Sequence, residues 1–201
     1  MVSTQLEAGP RACVGVVGYY GADSRMQNET YAAMIQECKE IVEKDFQMDL
    51  EKCNFVGNGG TWSSHIPVEL WKHVGRPTAS NVYFVFPAQF DAGERRSAYL
   101  EVGKIGPALN KSHAMMYNRL TLSSQHWARR SCAEIGDIVK AGAHTIVANN
   151  LNDREQLFLE RCTHLIYLPL KEDDEDVMHG ARMYNTFNGP KRLLAWADMF
   201  P

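Results

Sequence analysis

Apolar residues in this chain collect in short unbroken runs, and between the runs they recur every three or four positions. Ala12-Cys13-Val14-Gly15-Val16-Val17, Cys53-Asn54-Phe55-Val56, Asn81-Val82-Tyr83-Phe84-Val85-Phe86, His144-Thr145-Ile146-Val147-Ala148 and Thr163-His164-Leu165-Ile166-Tyr167-Leu168 are the runs. Near-continuous apolar runs rich in β-branched residues predict strands buried on both faces. Between the first two, Tyr31, Met34, Ile35, Cys38, Ile41, Val42 and Phe46 fall at helical spacing with charged residues on the other faces, which predicts a helix over 27–46. Ile66, Leu70 and Val74 lie four apart and predict a short second helix. Pro67 cannot sit mid-helix, so that helix starts at 64–67. Further helices are predicted over 125–140, over 152–161 with Asn152 and Glu155 as a capping box, over 180–188, and over 193–200 after the break at Gly189-Pro190.

Strand and helix therefore alternate about five times. That pattern predicts an α/β fold: a Rossmann-like, doubly wound, mostly parallel sheet of about five or more strands flanked by helices. Residues 1–10 are expected to be a loose tail and 11–201 a single domain. From 88 to 124 the periodicity blurs, and the acidic run Lys171-Glu172-Asp173-Asp174-Glu175-Asp176 is expected to be a solvated loop.

Composition narrows the function classes. The formal net charge is −3 and the pI about 6.2, so no global basic surface calls for DNA or RNA. No apolar run reaches the ~18 residues of a membrane span, and Met1 to Arg11 lacks the apolar core of a secretory signal. Five scattered cysteines without a Cys-x-x-Cys pair fit buried thiols in a reducing compartment, so a cytosolic protein is expected. The seven histidines show neither His-x-x-x-His nor His-Glu-x-x-His spacing, so neither a metal nor another cofactor is expected.

The candidate chemistry lies where the strands end. Asn58-Gly59-Gly60-Thr61 with Ser63-Ser64 follows the second run. Glycines there let the backbone approach a ligand, and the first amides of the next helix lack intrahelical partners, as an anion cradle requires. A plain turn capped by Ser63 or Ser64 fits the same residues. Gly18 to Arg25, Asn149 to Arg154 and His179 to Thr186 also follow strands, and open α/β sheets bind ligands at that edge. Arg25 and Arg154 can each fork onto a phosphate or pair on the surface. Asp23 and Asp153 can bond a ribose hydroxyl or act as a base, Asp153 alternatively serving a helix cap. His65 sits in the glycine turn. Ser63 and Ser64 lack a Gly-x-Ser-x-Gly elbow, so a serine hydrolase is not supported. Arg95, Arg96, Lys104, Lys111, Arg119, Arg129 and Arg130 are expected to form a solvated basic face. Trp62, Tyr19 and Tyr20 can stack a base or pack under the helices.

Several of these motifs together resemble the SLOG superfamily of Rossmann-like proteins, which includes the cytokinin-activating LOG enzymes and the DNA-processing protein A domain. The resemblance runs from about Cys13 to Trp196 and rests on Gly18 with Ser24-Arg25, on Gly59-Gly60-Thr61, on Asp153-Arg154 before Thr163 to Ile166, and on Gly180 with Thr186. Where LOG enzymes carry Pro-Gly-Gly-x-Gly-Thr-x-x-Glu, this chain has Gly189 three residues after Thr186. The resemblance implies a nucleotide or nucleotide-derived ligand held by Gly18, Ser24, Arg25, Asn58, Gly59, Gly60, Thr61, Ser64, Asp153, Arg154, Gly180 and Thr186. It also implies a homodimer and cleavage of an N-glycosidic bond, with Asp23 or Glu69 on the sugar side. A non-catalytic sensor or scaffold, or an enzyme similar to nucleoside deoxyribosyltransferases, remains open.

Overall fold

Six strands hydrogen-bond side by side in one sheet, and every pairing is parallel. The computed structural model describes residues 11–18, 27–93, 97–99, 126–169 and 175–195, the side chains of 97–99, 126–130 and 175–178 excepted. Its strands are β1 (Cys13–Gly18), β2 (Asn54–Gly57), β3 (Val82–Phe86), β6 (His144–Val147), β7 (His164–Leu168) and β8 (Lys191–Leu193), in the spatial order β6-β3-β2-β1-β7-β8. A separate antiparallel hairpin, β4 (Phe90–Ala92) with β5 (Ser97–Tyr99), occupies part of the stretch where the periodicity blurs. The helices are α1 (Asn28–Glu40), α2 (Ile66–His73), α3 (His126–Lys140), α4 (Leu151–Arg161) and α5 (Glu175–Thr186). This is the doubly wound α/β architecture that the alternation predicts. No described helix is long and apolar enough to cross a membrane.

The two-residue alternation of each strand sorts its side chains onto two cores. Val14, Val16, Phe55, Phe84, Phe86, Ile166 and Leu168 face one layer with Tyr31, Met34 and Cys38 of α1, Leu70 of α2 and Ile135 of α3. Val17, Val56, Val85, Leu165 and Tyr167 face the other with Phe158 of α4 and Met183 of α5. The chain winds outward through β2, β3 and β6 with α1–α3 on the first face. Then α4 returns it across the second face to β7, on the far side of β1. Close approach of α4 requires Gly15: a Cβ there would lie 2.9 Å from two ring carbons of the fully buried Phe158 and nearer still to Cys162 Sγ.

Three expectations are corrected. The segment after Pro190 is the edge strand β8 and not a helix: Leu165, Ile166 and Tyr167 offer it a free edge, paired with Lys191, Arg192 and Leu193, and residues 196–201 lie outside the description. Helix α5 starts at Glu175, inside the acidic run, so Gly180 is mid-helical and not a turn. Lys191 Nζ closes that helix by donating to the carbonyls of Tyr184 and Phe187 at 2.7 and 2.8 Å. Helix α4 is capped by Asn150 and not Asn152, because Asn150 Oδ1 accepts from Asp153 N at 2.9 Å. The long first helix ends in a wider turn over Ile41–Asp45, where Phe46 N reaches Ile41 O at 2.9 Å.

Candidate functional site

Because all six strands run the same way, the segments following β1, β2, β3, β6 and β7 leave from one edge. The winding reverses between β1 and β7, which is where open α/β sheets leave a crevice. The loop after β2 is the most polar buried part of that edge. Of the ten polar or charged residues buried among those described, five lie between Asn58 and His65: Asn58, Thr61, Ser63, Ser64 and His65. Polar side chains cost free energy when buried, so their concentration in one loop points to a role other than stability.

Locally the loop is built from three devices. Asn58 Oδ1 accepts from Gly60 N at 3.2 Å, an Asx turn that draws the chain back on itself. Gly59 occupies the left-handed region at φ +76°, and a Cβ at Gly60 would press on Ser64 Cβ at 3.0 Å and on Asn58 Oδ1 at 3.2 Å. Trp62 also has a left-handed backbone, φ +52°, which is rare and costly for a bulky residue. Its buried indole meets Tyr31 edge-on at 5.4 Å, so packing holds the strained turn in place. A single turn, Trp62–His65, then leads into α2 at Ile66, where Pro67 is tolerated in the first turn because no intrahelical partner awaits its missing N–H.

The loop differs from the open cradle expected. Every residue from Phe55 to Val68 is buried. Gly60 N is bonded to Asn58, and Ser64 N donates to Thr61 O at 3.1 Å. Two side-chain atoms are left over: Ser64 Oγ and His65 Nδ1 are fully buried and meet no hydrogen-bonding partner among the described residues.

The other ring nitrogen of His65 faces a cluster. His65 Nε2 lies 2.7 Å from Glu134 Oε2 on α3 and 4.0 Å from Glu69 Oε1 on α2. Lys72 Nζ bridges the same two carboxylates, 2.9 Å from Glu69 Oε2 and 3.1 Å from Glu134 Oε1. His65, Glu69 and Lys72 share one helical face because they are spaced by four and then three residues. The spacing His65-x-x-x-Glu69 was visible in the sequence, but a pattern restricted to paired histidines passes over it. Glu134 is contributed by a helix 65 positions further on and carries no signal in the sequence.

The remaining expected residues distribute as follows. Asp23, Ser24 and Arg25 lie outside the described residues, as do Tyr19, Tyr20, Arg95, Arg96, Lys104, Lys111, Arg119 and the side chains of Arg129 and Arg130. Gly18 ends β1 at the expected edge, where an added Cβ would run into the backbone carbonyl of Leu168. Arg154 is buried in the first turn of α4, at the same edge. Asp153 is occupied as a cap: Oδ2 accepts from Asn149 N and Nδ2 at 2.7 and 2.9 Å.

Gly180 and Thr186 leave the site. Gly180 packs on the ring of Tyr167, whose Cε2 would be 2.5 Å from an added Cβ. Thr186 is the last residue of α5, about 17 Å along the helix from its first at 1.5 Å per residue, and so at the opposite edge of the sheet. It lines a groove of about 600 Å³ between α4 and α5, together with Asn152, Gln156, Leu159, Arg182 and Phe187. Beside that groove the buried Glu155 accepts from Arg182 Nε at 3.0 Å and pairs with His179 Nδ1 at 2.9 Å, which ties the two helices together.

The five thiols lie in the two cores. All five are free and buried. Burial pushes Cys13 up to about 12 and Cys53 up to about 11, and holds Cys38 and Cys162 higher still. No protein-family model matches the chain, and no curated protein matches it.

Proposed function

We propose that this chain binds a nucleotide or nucleotide-derived ligand at the carboxyl edge of its sheet, beside the reversal between β1 and β7. The observation that carries this reading is the pair of buried, unpartnered atoms Ser64 Oγ and His65 Nδ1, set in a strained glycine loop. An unsatisfied buried polar group costs about 1–3 kcal/mol, and a ligand that supplies partners recovers it. Arg154 at the head of α4 supports an anionic ligand, since a helix N-terminus and a guanidinium both favour phosphate. The resemblance to SLOG domains points the same way. Cleavage of the ligand's N-glycosidic bond is the catalytic form of the proposal. Residence in a reducing, cytosolic compartment and assembly as a homodimer belong to it as well.

Thermal shift with a panel of nucleoside mono- and diphosphates tests binding. At about 100 times Kd a ligand adds about 2.7 kcal/mol, or a rise of about 5–10 °C for a chain of this size. Ser64→Ala removes one orphan, so the free variant is expected to be at least as stable as the parent while its ligand-induced shift shrinks. Chromatography of the same mixtures for released base separates an enzyme from a sensor. A panel with no shift, or a full shift retained by Ser64→Ala, overturns the proposal.

A further inference from the structure

We propose that His65, Glu69 and Glu134 form a binding site for a borderline divalent transition ion of the zinc class, and that Lys72 is the tethered cation that holds it closed in the ion's absence. One nitrogen and two carboxylate oxygens from these residues lie within 4.8 Å of one another. Ions of this class take imidazole nitrogen and carboxylate oxygen at about 2.0–2.2 Å, which sets neighbouring ligand atoms about 3.4 Å apart in a tetrahedron. The His65 Nε2 separations, 2.7 Å to Glu134 and 4.0 Å to Glu69, straddle that value, so side-chain adjustments of under about 1 Å complete the set.

Two further observations point to a cation. The His65 ring is 3% exposed and directs Nε2 into the cluster from a fixed backbone, so little ordering remains for binding to impose. A positive group already occupies the position between the carboxylates, Lys72 Nζ at 2.9 and 3.1 Å. Its side chain is 17% exposed, and the flexible four-carbon stem lets the ammonium withdraw to solvent when a divalent ion replaces it. Three protein ligands leave a fourth position open, the arrangement of a zinc site that takes water or a ligand oxygen. Mixed imidazole and carboxylate donors favour zinc over magnesium, which requires oxygen octahedra.

The inference stands apart from nucleotide binding, because its test uses the metal alone. The full chain is titrated calorimetrically with Zn²⁺ and, with a thiol-free reductant present, by visible absorption with Co²⁺. Saturable 1:1 binding is expected, with ligand-field bands of a nitrogen and oxygen set and no thiolate charge-transfer band. His65→Ala and Glu134→Gln should each weaken binding at least about 100-fold, beyond the 10–100-fold typical of groups that only support ligands. Lys72→Met should tighten it at least about tenfold, since no ammonium then competes. Asp49→Asn, on a distant turn, should change nothing. Absence of saturable binding in both the parent and Lys72→Met overturns the proposal. So does binding that survives Glu134→Gln, or a thiolate band in the parent spectrum, and both of those readouts hold even where His65→Ala fails to fold.

Discussion

Replacing Gly180 with alanine separates a packing role from a ligand-binding one. The new Cβ would sit 2.5 Å from Tyr167 Cε2 and 3.2 Å from Cδ2, about 1 Å inside the ~3.5 Å at which carbon atoms rest. Tyr167 is 3% exposed, belongs to the core under α4 and α5, and stands 5.6 Å from the Tyr184 ring, so its ring cannot swing clear without displacing neighbours. Overpacking of this kind costs about 1–3 kcal/mol, and the clash with a buried ring puts the cost in the upper half of that range. Against it stands the helix propensity of alanine over glycine, worth about 0.8–1.0 kcal/mol in a helix interior. The net loss is therefore about 1–2 kcal/mol, a fall in Tm of about 2–8 °C. Urea denaturation of the parent, Gly180→Ala, Tyr167→Leu and the double variant measures it. The double variant should be more stable than the sum of the singles predicts, by about 1 kcal/mol, because the added methyl then enters space the ring has left. A Gly180→Ala protein as stable as the parent, with no coupling to position 167, would refute the reasoning, since helix propensity alone would then account for the site.

Four further outcomes follow from the same structure. Asn150→Ala should lower stability by about 1 kcal/mol, the usual worth of such a cap, and Asp153→Ala should also destabilise α4 while leaving any nucleotide-induced thermal shift intact; loss of that shift without loss of stability would return Asp153 to the ligand. The buried thiols should resist a disulfide reagent in the native protein and all five should react once it is unfolded. They also make stability fall in alkali. Cys13 keeps its proton to about 12 when folded, whereas an ordinary thiol releases it near 9.0, so between those values the unfolded chain binds fewer protons and stability drops as pH rises. Urea midpoints at about pH 8 and about pH 10 check the sign, and an unchanged midpoint would contradict the burial of these groups.

The strand runs and the helical periodicities were enough to place β1, β2, β3, β6 and β7 and helices α1–α4 to within a few residues, because each buries a face whose period is local. Strand β8 was not legible: Lys191-Arg192-Leu193 has no apolar pattern of its own, and only the exposed edge of β7 makes it a strand. Gly180 illustrates the same limit. A glycine near a threonine reads as a turn, yet the need for glycine arises from an aromatic ring on a strand 13 positions earlier in the chain.

The candidate site divides along the same line. Sequence alone determined that Asn58, Gly59, Gly60 and Ser64 would follow a strand and precede a helix, since the turn residues and Pro67 dictate that locally. That Gly60 N would be taken up by Asn58, that Ser64 Oγ and His65 Nδ1 would be left without partners, and that Glu134 would meet His65 were decided only by tertiary structure. Which amides stay free and which charges converge depends on helices packed from distant parts of the chain, and contacts of that range leave no period in the sequence.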